Sequence, residues 1–147
     1  QIVTSTTIAD TNWHHIVLTC PHSSVDPKMF IDGVEVSYAT QQDAASSTIT
    51  TDASSDLHFG AIAGTTDFTG NYRDIRMYDY LLSDEQIVSL YRGSYNVTPL
   101  HWWKFDGDTN DSGTGTTSNG TLAGDAALTT ANFKVNGSAR IGTNGSV

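Results

Sequence analysis

A chain of 147 residues can bury one core without metals or disulfides, and 37% hydrophobic against 16% charged residues, with frequent Ser, Thr, Gly and Asn, suits a turn-rich all-β surface. Sixteen acidic residues against seven basic ones leave a net charge of -9, which excludes nucleic acid and anionic membrane surfaces as partners, since both require clustered Lys and Arg. No stretch approaches the roughly 20 apolar residues of a membrane span, so no membrane insertion is expected, and a lone cysteine excludes an internal disulfide.

Residues 1–20 read as a lead-in followed by the strand NWHHIVLTC. Apolar side chains fall on both faces of that strand after Trp13, which predicts a strand covered on both sides with Cys20 as a small buried packing residue. PHSSVDP is a turn cluster. KMFIDGVEV reads as a hairpin whose Asp32-Gly33 supplies the positive φ angles of a two-residue type I′ turn. Residues 37–56 are polar with an isolated Ile49 and predict an exposed loop holding at most one edge strand. LHFGAIAG is a short strand closing on glycines.

The apolar period changes within residues 68–92. Tyr72, Asp74, Arg76 and Tyr78 alternate with Arg73, Ile75 and Met77, the period of a strand. After Leu82 the spacing lengthens: Ile87, Leu90 and Tyr91 recur at three and four, and Ser83 with Gln86 forms a capping box, so a short amphipathic helix is predicted. Gly93 is placed to stop it, and Pro99 forces Thr98 into an extended conformation. A further strand, LHWWKFDG, alternates Trp103 and Phe105 on one face with Trp102 and Lys104 on the other, so one tryptophan is expected in the core and the other at least partly outside it. A Gly/Ser/Thr/Asn-rich tract follows, with two short strands expected near Thr121 and Leu122 and over 133–135. Composition shifts sharply at Pro99, which divides the chain into portions 1–97 and 98–147.

Trp13, His15 and Val17 in WHHIV, the FIDG hairpin, LHFG and FTGNYRDIRMYDYLLSDEQIVSLY together resemble a laminin G-like domain of the concanavalin A-like lectin/glucanase superfamily. The resemblance implies an all-β jelly-roll sandwich with one short helix. Arg73 stands where members of the family often carry an acidic residue. HWWKFDGDTNDSG with NGTL, FKVNGSARIG and NGS resembles the opening of the same family, so residues 1–97 look like the closing portion of one jelly roll and 98–147 like the opening of another, without the aromatic-rich middle block. Two arrangements fit: a window on a tandem array, the favoured one because the connector at Pro99 reads as an interdomain joint, or a permuted, self-completing unit whose open edges neighbouring copies pair.

Asp106, Asp108, Asn110 and Asp111 form the densest oxygen-rich cluster, and calcium takes six to eight such ligands. Laminin G-like and related jelly rolls often hold calcium in rim loops, so the resemblance implies a calcium site here, with ordinary Asx-turn chemistry as the competing reading. Trp102, Tyr38, Tyr72 and Tyr95 are the aromatics available to stack on a sugar, as against packing in a core. Adjacent His14 and His15 face opposite sides of a strand and do not share a metal. The glucanase members carry their acids as Glu-x-Asp-x-Glu on one strand; the only glutamates here, Glu35 and Glu85, lie in no such motif, so no catalysis is expected. Five sequons, at Asn96, Asn110, Asn119, Asn136 and Asn144, are candidates for glycans. The resulting expectation is a non-catalytic adhesion or carbohydrate-binding module of a repeat protein on a cell or virion surface or otherwise extracellular, binding a glycan or cell-surface ligand. The alternative is a building block of a fibre or surface layer, in contact with neighbouring repeats or copies of itself.

Overall fold

The computed structural model describes residues 2–4, 8–21, 27–41, 57, 59, 61–62, 66–94, 97–122, 126–129 and 133–137. Along them run β1 (Ile2–Thr4), β2 (Ile16–Thr19), β3 (Lys28–Ile31), β4 (Val34–Glu35), β5 (Tyr38–Gln41), β6 (Ala61–Ile62), β7 (Thr66–Tyr72), β8 (Ile75–Met77), α1 (Asp84–Tyr91), β9 (His101–Trp103), β10 (Ala127–Leu128) and β11 (Phe133–Gly137). The chain divides into two compact units, Gln1–Ile49 with Tyr80–Val97, and Thr50–Asp79 with Thr98–Val147.

In the first unit β2, β3 and β4 form an antiparallel sheet in which Ile16 pairs with Ile31, Val17 with Phe30 and Ile31 with Val34. The β3–β4 turn is the expected one: Asp32 (φ 53°) and Gly33 (φ 78°) both take left-handed angles, and the Asp32 amide donates to the His15 carbonyl at 2.8 Å. Because paired residues share a face, Val17, Thr19, Lys28, Phe30 and Glu35 lie on one side of the sheet. Helix α1 lies along that side. Lys28 Nζ reaches Asp84 in its first turn at 3.6 Å, while at its last turn Tyr91 lies beside Gly33 and within ring contact of His15. Among the described residues of the unit, Phe30, Val36, Leu82, Ile87, Leu90 and Val97 are buried apolar side chains.

The helix begins as its capping box predicts. The Gln86 amide donates to Ser83 Oγ at 3.3 Å and the Ser83 amide to Gln86 Oε1 at 2.8 Å, and Asp84 and Glu85 place negative charge at the amino end of the helix dipole. Gly93 closes it at φ 81° with its amide on the Leu90 carbonyl. A separate two-stranded ladder joins β1 to β5, and β5 is the one edge strand that the polar stretch was expected to hold. Two expectations fail in this unit. β2 is covered on one side only, with Ile16 53% and Leu18 64% exposed, and Cys20 is exposed instead of buried. Apolar composition on both faces of a strand does not itself supply a second layer.

In the second unit the sheet order is β10-β11-β7-β6, and β8 pairs with β9. Residues 98–137 thus place their described strands on residues 66–77 of the same chain: Phe133 to Gly137 pair antiparallel with Tyr72 to Phe68, and Ile75, Arg76 and Met77 with Trp103, Trp102 and His101. The single strand expected over 72–78 is interrupted. Asp74 takes φ 58°, so β7 ends at Tyr72 and β8 starts afresh at Ile75. Trp103 and Phe105, 4% and 0% exposed, make the core, with Phe59, Tyr72, Ile75, Met77, Leu122, Ala126 and Leu128 packed against them. Leu122 therefore serves in the core outside any strand; the strand expected near Thr121 and Leu122 is found at β10 instead, and the LHFGAIAG strand is reduced to β6 among the described residues.

Candidate functional site

Strand β9 presents different chemistry on its two faces. Inward, His101 and Trp103 stack at 5.5 Å between ring centroids, and Trp103 Nε1 donates to the Ser118 carbonyl at 2.8 Å. Outward, Trp102 sits opposite Arg76 on β8. The Arg76 guanidinium and the Lys104 ammonium each lie 4.5 Å from the centre of the Trp102 ring. Asp74 ties the cluster together. Its carboxylate accepts Arg76 Nε and Nη2 at 2.9 Å each, the two-pronged geometry that guanidinium favours, and it also accepts the Trp102 indole N–H. The left-handed backbone at Asp74 is a conformation that Asp tolerates better than most residues, and it breaks the strand where this side chain is needed.

The loop after β9 is wound round Asp111. Oδ1 of this carboxylate accepts the Trp102 and Gly113 amides at 2.9 and 2.8 Å; Oδ2 accepts His101 Nδ1 at 2.6 Å and the Ser118 amide at 3.1 Å. Burial pushes the Asp111 carboxyl up, but the His101 hydrogen bond and the three amide donors outweigh it and hold the group down at about 2. The Asp111 amide in turn donates to Asn119 Oδ1 at 3.0 Å. Asp108 closes a local Asx turn, accepting the Asn110 amide at 2.9 Å and Asn110 Nδ2 at 2.7 Å.

As arranged, the four oxygen-rich residues of this loop do not form a calcium cage. Asp111 points inward with both oxygens engaged by N–H donors, Asp108 is turned onto Asn110, and Asp106 is exposed. Among the described residues no three His, Cys, Asp or Glu gather to hold a metal ion. Of the aromatic candidates, Tyr72 packs against the core of the second unit, and in the first unit the Tyr38 hydroxyl accepts the Met29 amide at 2.8 Å and reaches Glu35 at 3.2 Å. Tyr95 lies outside the described residues. Asn110 and Asn119 are exposed, Asn136 lies in β11, and Asn96 and Asn144 lie outside the described residues.

Two constellations were not read from the sequence. His14 bridges two carboxylates, Nδ1 to Asp32 at 2.7 Å and Nε2 to Asp10 at 2.9 Å, while Asp32 Oδ1 also accepts the His15 amide. The Asp10 hydrogen bond, then that of Asp32, raises the His14 pKa, and the same contacts help lower those of both acids. The other is the Asp111 hub itself. Neither had a local sequence signal: the Asp10 contact depends on the bend ahead of β2, and the Asp32 and His101 contacts on hairpin and loop closure.

Both glutamates are held in contacts within the first unit. Glu35 bonds Lys28 at 3.2 Å and Tyr38, and Glu85, in the first helical turn, is lowered by its own backbone amide and by Ser83, the opposite of the raised pKa that a general acid needs. No helix among the described residues is long and apolar enough to cross a membrane. A laminin G-type family model, described as the concanavalin A-like lectin/glucanases superfamily, matches residues 1–88. No curated protein and no solved structure matches the chain.

Proposed function

Because the chain belongs to the concanavalin A-like lectin/glucanase superfamily, a β-sandwich fold, we propose that it is a non-catalytic extracellular adhesion or carbohydrate-binding module whose sugar contact is centred on Trp102. Family membership carries this reading, since laminin G-like domains are lectin-type and typically extracellular. The geometry adds a place for a ligand. Trp102 is an aromatic surface on the outward face of β9, edged by a carboxylate and two cations, the mixture of stacking plane and hydrogen-bonding groups that sugar recognition uses. Arg76 is locked by Asp74, whereas Lys104 is held over the ring by a cation–π contact worth about 0.5–1 kcal/mol at such a site, little enough for a pyranose face to displace.

The test is retention on an oligosaccharide panel, with calcium and with chelator. Trp102→Ala should reduce retention at least tenfold while Tyr38→Phe leaves it unchanged; retention insensitive to Trp102→Ala would overturn the site, and retention of nothing on the panel would overturn the lectin reading. A calcium requirement would point to Asp106, Asp108 and Asn110 rearranging around an ion. Asn110 and Asn119 are the exposed glycan candidates of this reading.

A second reading, a building block of an extracellular fibre, surface layer or virion appendage, is favoured by the bare apolar side of the β2–β3–β4 sheet. The pairing of β9 with β8 and of β11 with β7 supports a self-completing unit over a bare window on a tandem array. The mass of the natural polypeptide, against 15.8 kDa for this chain, separates the two.

A further inference from the structure

Residues 8–15, the approach to β2, are fastened to the β3–β4 turn through one side chain. His14 lies between two carboxylates, with Nδ1 2.7 Å from Asp32 Oδ2 and Nε2 2.9 Å from Asp10 Oδ1. An ionised carboxylate offers only acceptors, so each contact requires an N–H on the ring nitrogen that faces it. A neutral imidazole carries one N–H and one lone pair, and only the imidazolium carries an N–H on both nitrogens. The bridge as it stands is therefore that of a protonated His14. Losing the proton sets a lone pair against a carboxylate at one end, and that contact parts.

The two ends of the bridge are unequal. Asp32 sits in the turn with Oδ1 already accepting the His15 amide at 2.9 Å, and its side chain is 31% exposed. The Asp10 side chain is 49% exposed, and the Asn12 amide that it also accepts, at 2.8 Å, belongs to its own segment, where residues 8–13 are all exposed. The remaining proton thus stays on Nδ1, facing Asp32, and Asp10 is the partner that water takes over. We propose that His14 is a proton-operated latch: its imidazolium pins residues 8–13 to the β3–β4 turn, and its deprotonation frees that segment while the turn keeps its hold on the ring. Among the described residues, the ionisable groups acting on His14 are Asp10 from its own segment and Asp32 from the turn, while His15 acts on Asp32. The Asp10 hydrogen bond, then that of Asp32, raises the His14 pKa above 6.5, so the latch is closed below that value and opens as pH rises through the folded one. Both acids are lowered from 3.8 and stay charged across that range.

Nuclear magnetic resonance of the whole chain tests this, with the His14 ring nitrogen shifts giving its protonation and tautomer. Backbone order parameters come from carbon-detected relaxation, so that fast amide exchange in base does not interfere. Between pH values well below and well above the His14 midpoint, the order parameters of residues 10–13 should fall from about 0.85 to below about 0.6, while those of residues 28–35 hold. Neutral His14 should be the Nδ1–H tautomer. Asp10→Asn supplies an amide donor to the Nε2 lone pair, so its segment should stay ordered on both sides of the midpoint; Asp10→Ala should leave the segment loose on both. Each replaces an exposed side chain and spares the core. Order parameters indifferent to His14 protonation, an Nε2–H tautomer, an Asp10→Asn segment that loosens as the wild type does, or an Asp10→Ala segment that stays ordered in acid would each overturn the proposal.

Discussion

Replacing Asp111 by Asn removes a charge and one acceptor while preserving shape, and so isolates what the carboxylate contributes to the loop after β9. In the native protein four N–H donors converge on it: the Trp102 and Gly113 amides on one oxygen, His101 Nδ1 and the Ser118 amide on the other. An Asn amide satisfies two of them and turns its own NH2 on the remaining two. Because the Asp111 side chain is 1% exposed, water cannot compensate. The carboxyl is held at about 2 against an ordinary 3.8, a difference that corresponds to about 2 kcal/mol of stability at neutral pH, and the two donors left facing an NH2 add about another 1–2 kcal/mol. Asp111→Asn should therefore destabilise the protein by about 3–4 kcal/mol at pH 7. Since the folded pKa lies below the unfolded one, the charge-dependent part is present above pH 3.8 and is lost as pH falls through about 2, so the gap between wild type and variant should narrow across that window. Urea unfolding followed by the fluorescence of buried Trp103, whose indole bonds the same loop at Ser118, reads this out. A loss below about 1 kcal/mol at pH 7, or a gap of the same size at pH 7 and pH 2.5, would refute the hub.

His14, bonded to Asp10 and Asp32, should titrate above 6.5 by NMR. Its raised folded pKa means that the contribution is fully present below pH 6.5 and fades as pH rises through the folded value, so wild type and His14→Gln should differ in acid and converge in base; equal differences at pH 5.5 and pH 9 would be contrary. Gly33→Ala forces a side chain into φ 78° and 3.3 Å from Tyr91, and should cost about 1–2 kcal/mol in thermal unfolding, whereas Gly93→Ala, with open space around it, should cost only the backbone strain. Ser83→Ala removes one half of the capping box and should cost about 1 kcal/mol, measured by circular dichroism melting. Asp74→Asn, on the surface, should change stability by less than about 1 kcal/mol yet raise acrylamide quenching of Trp102 by releasing its indole and Arg76.

The parts of this protein legible in its sequence are those whose cause lies within a few residues. Asp32-Gly33 encodes its own turn, Ser83 and Gln86 their own cap, Gly93 its own stop, and the alternation of Trp102, Trp103, Lys104 and Phe105 puts the two tryptophans on opposite faces, of which the structure buries that of Trp103. The candidate site was half legible: Trp102 as an accessible aromatic and Asp106 to Asp111 as an oxygen-rich loop are sequence features. That Asp111 faces inward onto His101, that Arg76 lies over the Trp102 ring, and that Asp74 receives its indole are decided by register and loop closure between residues 10 to 28 positions apart. The apolar residues on both sides of β2 state that each side has something to gain from a partner; only the tertiary structure shows that the helix lies along one side while Ile16 and Leu18 on the other are exposed. Hydrophobicity is non-directional, so a sequence determines which surfaces gain by burial, while the geometry of the folded chain decides which of them are covered.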